Sequence, residues 1–429
     1  MRSRAILSVL LLLILVGCGG QAPVPESVPP TPVPSPLRPS ATPAPTRELE
    51  PMIVTLELWL PEELDPYGGG PGADLFAQQL DDFSDVYPDV QVEVLVKKAH
   101  GRGGLLDFLR TARDAAPSIL PDLVVLDTGE LETAARSGLI QPLDDILSPA
   151  EMADRFSFSV GLGTVDEQTL GFVVGADMQH LAYRPARFES PPISWTEIIS
   201  PPVPFLFPVG TRSQSVDDAM LIQYLAAGGK LTDEDGGPWL DESVMLGVLG
   251  FYSACATTGT ISPTVVLRTR DAGQAWEQFQ NGGGEIAVVP ASRFWLEADD
   301  TVAAAAIPTQ SGQPLSIGRG WALAMVADDP TRQSLAVLLL DWLIAPDHNG
   351  QWTQAAGYLP GTQGALRIWD VSNAGRAVLR GVMEAAVPPP RPEVMAVVGP
   401  AMQEAVDSVL RGWTTPEEAA AAAVKRLEE

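Results

Sequence analysis

An α/β fold in two lobes, each built on a mostly parallel sheet flanked by helices, is what this sequence predicts. Three observations carry the prediction. The first hundred residues of the body alternate strand-like and helix-like patterns. A continuously apolar run of strand length lies between turn signals. Once a leader and a proline-rich segment are set aside, roughly 380 residues remain, more than one hydrophobic core usually supports.

The elements follow in order. Ile53-Val-Thr-Leu-Glu-Leu-Trp-Leu60 alternates and is rich in β-formers, which predicts a strand ending near Trp59. Leu75, Phe76, Leu80 and Phe83 recur at helical spacing, so Asp74 to Tyr87 reads as a helix. A second strand is expected over Val90 to Val96 and a second helix over Leu105 to Ala115. Pro121-Asp122 then introduces Leu123-Val-Val-Leu-Asp127, a short apolar run suited to a strand covered on both faces. The β-α-β-α-β order implies parallel strands joined by right-handed crossovers. Leu335 to Ile344 is apolar but contains Asp341, and it reads as a buried helix instead of a membrane span.

The N-terminus has a different character. Arg2 and Arg4 precede an apolar run from Ala5 to Val16, which ends in Gly17-Cys18-Gly19-Gly20. That is the anatomy of a secretory signal over residues 1–17, too short to anchor the chain by itself. Leu15-Val16-Gly17-Cys18 resembles the lipobox of bacterial lipoproteins, which implies acylation of Cys18. Stable tethering takes more than one acyl chain, and the lipoprotein modification supplies them. Ten prolines between Pro23 and Pro45 exclude helix and sheet, so residues 18–51 are expected to be a lipidated, disordered stalk reaching about 3.1 Å per residue.

Composition limits the functions open to the body. The whole chain is 45% hydrophobic and 19% charged, with a formal net charge of −27. Loss of Arg2 and Arg4 with the leader leaves 25 basic against 54 acidic side chains, a net −29. No nucleic-acid partner is expected of such a surface. With Cys18 acylated, Cys255 stands alone, so neither an internal disulfide nor a thiolate metal cluster is available. His100, His180 and His348 are far apart. Neither a metal nor a cofactor is expected. Phosphate-loop, nucleophile-elbow and zinc-protease signatures are missing, so no catalytic residue is assigned. The glycine clusters at 101–104 and 282–284 read as turns. Asp233-Glu-Asp-Gly-Gly237 reads as an exposed acidic turn, because Val244 stands where a calcium loop needs a bidentate Glu.

Several segments, in order, resemble one family. Phe83-x-x-x-Tyr87-Pro88-Asp89-Val90, Pro121-Asp122-Leu123-Val124-Val125-Leu126 and Gly138-Leu-Ile-Gln-Pro-Leu-Asp-Asp145 are followed by Gly171-Phe-Val-Val174 and Leu181-Ala-Tyr-Arg184. Then come Ser194-Trp195-Thr196-Glu197-Ile198, Gly318-Arg-Gly-Trp321-Ala-Leu-Ala324, Gly357-Tyr358-Leu359-Pro360, Pro390-Arg391-Pro392 and Thr415-Pro416-Glu417-Glu418-Ala419. Together they resemble the extracellular solute-binding proteins of ABC importers, family 1, of the maltose-binding-like type, over roughly the whole body. Arg184 and Arg319 depart from the family's usual Asn and Gly.

The resemblance implies a periplasmic-binding-protein-like fold of type II, hinged by crossover segments. It implies a first lobe of 52–172 plus 286–318 and a second of 175–283 plus 322–429. It also implies a monomer on the outer face of the cytoplasmic membrane, held there only by lipid, that captures a carbohydrate or polyol and delivers it to a permease and its ATPase. A sensor subunit, or a binder of a glycerophosphate or another small solute, is the alternative. Ligands of open α/β sheets sit beyond the carboxyl ends of strands. Sugars take aromatic platforms with carboxylates and Arg at the rim. The expected ligand set is therefore Trp59, Glu63, Asp127, Thr128, Asp177, Arg293, Trp295, Trp321 and Tyr358. Trp195 is expected to be structural.

Overall fold

The computed structural model describes residues 53–210 and 215–428. The leader, Cys18 and the proline-rich segment lie outside the described residues.

The early elements form where periodicity places them. Strand β1 spans Val54–Pro61 and β2 spans Val90–Lys97, with β3 at Leu123–Asp127. The intervening helices are Pro71–Val86 and Leu105–Ala115. After β3 a small hairpin pairs β4 (Thr164–Val165) with β5 (Gln168–Thr169). Next come β6 (Phe172–Tyr183), β7 (Phe205–Leu206), β8 (Ile286–Pro290), β9 (Ala303–Ala305), β10 (Ser316–Met325) and β11 (Ala386–Val387).

The main sheet runs β2-β1-β3-β10-β6-β8-β7, with β11 on β10 and β9 on β6. Strands β2, β1 and β3 are parallel, and β10 enters antiparallel between β3 and β6. Two long strands thread the whole molecule. The first part of β6 pairs with β10, and Gln179–Tyr183 pairs with β8 and β9.

Each half of this path carries its own core. In the first lobe Leu56, Leu58 and Leu60 of β1 face Phe76, Leu80 and Phe83, and Trp59 points the other way to Leu105, Leu109 and Val124. The period of two along β1 thus gives one face Leu56, Leu58 and Leu60 and the other Thr55, Glu57 and Trp59, so each face reaches a core. In the second lobe Leu181, Ile286 and Val288 pack on Met245, Leu249 and Met402, and Ala182, Ala287 and Val289 pack on Trp276 and Phe279. Burying a side chain of this size contributes about 1.5–3 kcal/mol relative to leaving it exposed.

The division of the later chain differs from expectation. Strand β8 belongs to the second lobe, because it pairs with the far part of β6, whereas 286–318 was expected in the first. Helix Pro330–Ile344 contributes Leu339, Leu340 and Leu343, and helix Pro346–Ala356 contributes Trp352, to the core that holds Leu56 and Leu58. Residues 322–429 were expected wholly in the second lobe. The cause is β10, which returns the chain alongside β3 and so delivers the next two helices to the first lobe.

A buried ion pair fixes that return. Asp122, 3% exposed, accepts from the Glu57 amide at 2.8 Å and from both Nε (2.8 Å) and Nη2 of Arg332, and Nη2 also reaches the Thr55 carbonyl at 2.9 Å. The acidic turn at Asp233 closes on itself, its Oδ1 accepting from the amides of Asp235 and Gly237. Trp195 stacks on Phe251 at 4.4 Å and donates to Gln223.

His180 is buried in β6 with its ring edge-to-face on Phe294 at 4.8 Å. Its Nδ1 lies 3.0 Å from the Leu181 carbonyl, and Nε2 has no partner. Burial pushes the imidazole down to about 4 from 6.5. A base with a depressed pKa stays neutral in the fold, so the unfolded chain binds the extra proton first. Stability from this group is complete above pH 6.5 and is lost as pH falls toward 4, on the order of 3 kcal/mol in all. Urea unfolding of wild type and His180→Gln between pH 7.5 and 4 is expected to show a steeper acid loss in wild type. Parallel curves would refute the assignment.

Candidate functional site

The two long strands meet side by side where the lobes join. In register, Arg319 of β10 stands opposite Asp177 of β6, and Trp321 stands opposite both Gly175 of β6 and Asp127 of β3. Paired residues of neighbouring strands share a face, as do residues two apart. Arg319, Trp321, Asp177 and Asp127 therefore project to one side of the sheet. On the other side Gly320 is pressed against β6, where a Cβ would lie 2.4 Å from the Gly175 carbonyl oxygen.

Tyr358 is brought to this face by backbone contacts. Gly357 ends the preceding helix at φ 81°, and Leu359 exchanges two 2.7 Å hydrogen bonds with Ala176. The Tyr358 ring stacks on Trp352 at 5.9 Å. Burial pushes its phenol upward, with the hydrogen bond from Trp321 opposing and the negative charges of Asp177 and Glu63 adding to the rise. Trp321, 9% exposed, also faces His100, whose ring lies parallel at 6.2 Å. His100 in turn approaches Glu130 at 3.3 Å and Asp127 at 3.8 Å.

Two cavities flank this line of side chains. One, of about 310 Å³, runs between Tyr358, Trp352, Phe76 and the turn carrying Glu62, Glu63 and Asp65. The other, of about 480 Å³, is bounded by Thr128, Glu132, Arg319 and Pro388–Pro392. At its rim Arg319 grips Asp218 through two 2.8 Å bonds, which holds the guanidinium pKa up. Asp217 beside it accepts from Ala219 and Gln179, and burial together with Asp218 pushes its carboxyl up to about 6.

Of the expected ligand set, Glu63, Asp127, Thr128, Trp321 and Tyr358 come together here. Asp177 lies among them, but its oxygens are taken by the amides of Met178 and Ser292 and, at 2.5 Å, by the Ser292 hydroxyl. It thereby caps the helix Ala291–Glu297. Three others lie elsewhere. Trp59 is 1% exposed in the first core, against Phe108 at 4.9 Å. Arg293 is held by Glu277 and Glu297. Trp295 packs between Phe294 and Trp369. Sequence reasoning missed His100 and Trp352. His100 follows the carboxyl end of β2, so the strand-end rule that selected Thr128 points to it as well. Among the described residues no group of His, Cys, Asp and Glu is placed to hold a metal ion.

Residues 80–375, most of the chain, match the family of bacterial extracellular solute-binding proteins. The chain belongs to that family. None of the curated proteins matches this solute-binding protein in sequence. Among similar solved structures is the cyclic alpha-maltosyl-1,6-maltose binding protein from Arthrobacter globiformis, with TM-score 0.67 and 19% identity, covering 87% of this chain and 98% of that one. An ABC transporter solute-binding protein from Thermotoga lettingae TMO bound with alpha-D-tagatose gives TM-score 0.64 and 22% identity, covering 87% and 98%. One from Agrobacterium radiobacter K84 in complex with ribitol gives 0.61 and 20%, covering 88% and 100%. At these identities the likeness is one of fold, and that fold is the two-lobed one described above.

Proposed function

We propose that this solute-binding protein is the capture component of an ABC importer and holds a carbohydrate or related polyol where β6 and β10 join its lobes. The observation that carries the proposal is the Trp321–Tyr358 pair, set on the shared face with Asp127 and bordered by cavities on both sides. Aromatic faces cover the C–H faces of a sugar, and carboxylates accept from its hydroxyls. The tagatose, ribitol and cyclic maltosyl-maltose named for the similar structures support this ligand class.

Contacts made to both lobes at once favour a closed form, which a permease and its ATPase would then recognise. Acylation of Cys18 would keep the carrier at the outer face of the membrane beside that permease. The role is binding without turnover.

Solute binding is expected to shift the emission of the ten tryptophans and to raise unfolding stability by about 2.7 kcal/mol at a hundredfold excess over Kd. A panel of mono- and oligosaccharides and polyols, amino forms included, tests it by fluorescence and thermal melts. No response from any member would sink the carbohydrate reading.

A further inference from the structure

Helix Asp218–Ala226 begins against both of the long crossing strands. Its cap, Asp217, accepts from the Ala219 amide at 2.9 Å and from Gln179 Nε2 of β6 at 2.8 Å, both on Oδ1. The next residue, Asp218, holds Arg319 of β10. Val216 and Leu221, on either side of the two acids, line the cavity of about 480 Å³. This turn is therefore a wall of that cavity, fixed to the strands through two carboxylates.

The two carboxylates are not equivalent. Asp218 is paired with a guanidinium, whereas Asp217 receives only the Ala219 amide and the neutral Gln179 side chain. The charged and titratable groups that face Asp217 are Asp218 on its own helix, Arg319 on β10 and the Tyr252 phenol on helix Glu242–Thr258. Arg319 is engaged by Asp218, and burial pushes the Tyr252 phenol upward, so it stays neutral. The partner on β6 is itself incomplete. Gln179 Oε1 is buried without a hydrogen-bond partner, on the same amide whose Nε2 reaches Asp217. An ionised carboxylate only accepts hydrogen bonds and cannot serve that oxygen, whereas a carboxylic acid also donates one. A single proton on Oδ2 gives the carboxyl and the amide two reciprocal bonds in place of one.

We infer that Asp217 and Gln179 form a proton-operated tie between crossing strand β6 and the cavity wall, closed by two hydrogen bonds when Asp217 is protonated and by one when it is ionised. The proton comes from solvent, and the tie works the same way whatever solute the cavity takes. The carboxyl stands at about 6 against an ordinary 3.8, which puts the change in the mildly acidic range. An acid whose pKa rises on folding gives stability that is complete below its unfolded value and is lost as pH climbs through about 6, the opposite sense to His180.

Amide exchange of the mature chain at about pH 7.5 and about pH 4.5, each rate divided by the intrinsic rate at that pH, tests the tie. Met220 and Leu221, whose amides donate to the Asp217 carbonyl, report on the wall, and helix Glu242–Thr258 serves as reference. Relative to that reference, protection of the two amides in wild type is expected to be about tenfold or more higher at the lower pH. D217N carries an amide that imitates the protonated acid and should be protected at both pH values. Q179M, which removes the Gln179 amide, should be weakly protected at both. In urea the folding constant of D217N relative to wild type should rise about tenfold or more from the lower pH to the higher. Wild-type protection that is equal at the two pH values would overturn the tie, whether or not D217N folds. So would a Q179M profile that still rises in acid, or urea curves of D217N and wild type that run parallel.

Discussion

Asp122→Ala is expected to destabilise the protein by about 3 kcal/mol, because it strands the Arg332 guanidinium against the strand ends and leaves the Glu57 amide without its acceptor. Asp122 is almost fully buried, and the Arg332 side chain is 38% exposed, so water offsets part of the loss. That places the expectation at the lower end of the range for breaking a buried pair. Urea denaturation measures it. Arg332→Met in the same background should recover part of the loss, since it removes the unpaired charge. A single-variant effect within about 0.5 kcal/mol of wild type would show that the pair is peripheral to stability.

Trp321→Ala is expected to weaken solute affinity by about a hundredfold, near 3 kcal/mol, through loss of the aromatic platform. Trp321 is also largely buried, so the variant will lose stability. Affinity must therefore be read by calorimetry well below its own melting temperature. Trp321→Phe keeps an aromatic face and should retain most of the affinity. Trp59→Phe should cost stability alone, because its ring lies in the first core. Native affinity in Trp321→Ala would remove the aromatic pair from the binding site.

The contrast between Trp59 and Trp321 shows what a sequence can disclose. Strands β1 to β3 and their helices were legible because alternation and helical spacing are local signals. In β1 the alternation sets Trp59 on the face opposite Leu56, Leu58 and Leu60, but the pattern of two could not say whether that face is covered by Leu105 and Leu109 or open to the cleft. Arg293 had a readable partner four residues on in Glu297, the spacing of a helical ion pair, and the structure uses it. Tyr358 and Trp321 lie 37 positions apart, and the contact between them depends on the Leu359–Ala176 exchange, which no local pattern encodes. The placement of β8 and of helix Pro330–Ile344 was hidden for the same reason. Which lobe a late segment joins is decided by where β10 pairs, and pairing is a long-range event.

That placement of β10 also bears on how the chain matures. The edge of β3 stays open until residues 321–325 arrive beside it, and the Asp122 carboxylate waits just as long for Arg332. A chain made from its N-terminus must close a loop of about two hundred residues before its first lobe is whole, and contacts that distant form slowly. Early synthesis therefore yields a half-sheet with an unpaired strand, and neither lobe is whole until late segments arrive, Leu339 to Trp352 for the first and Met402 for the second.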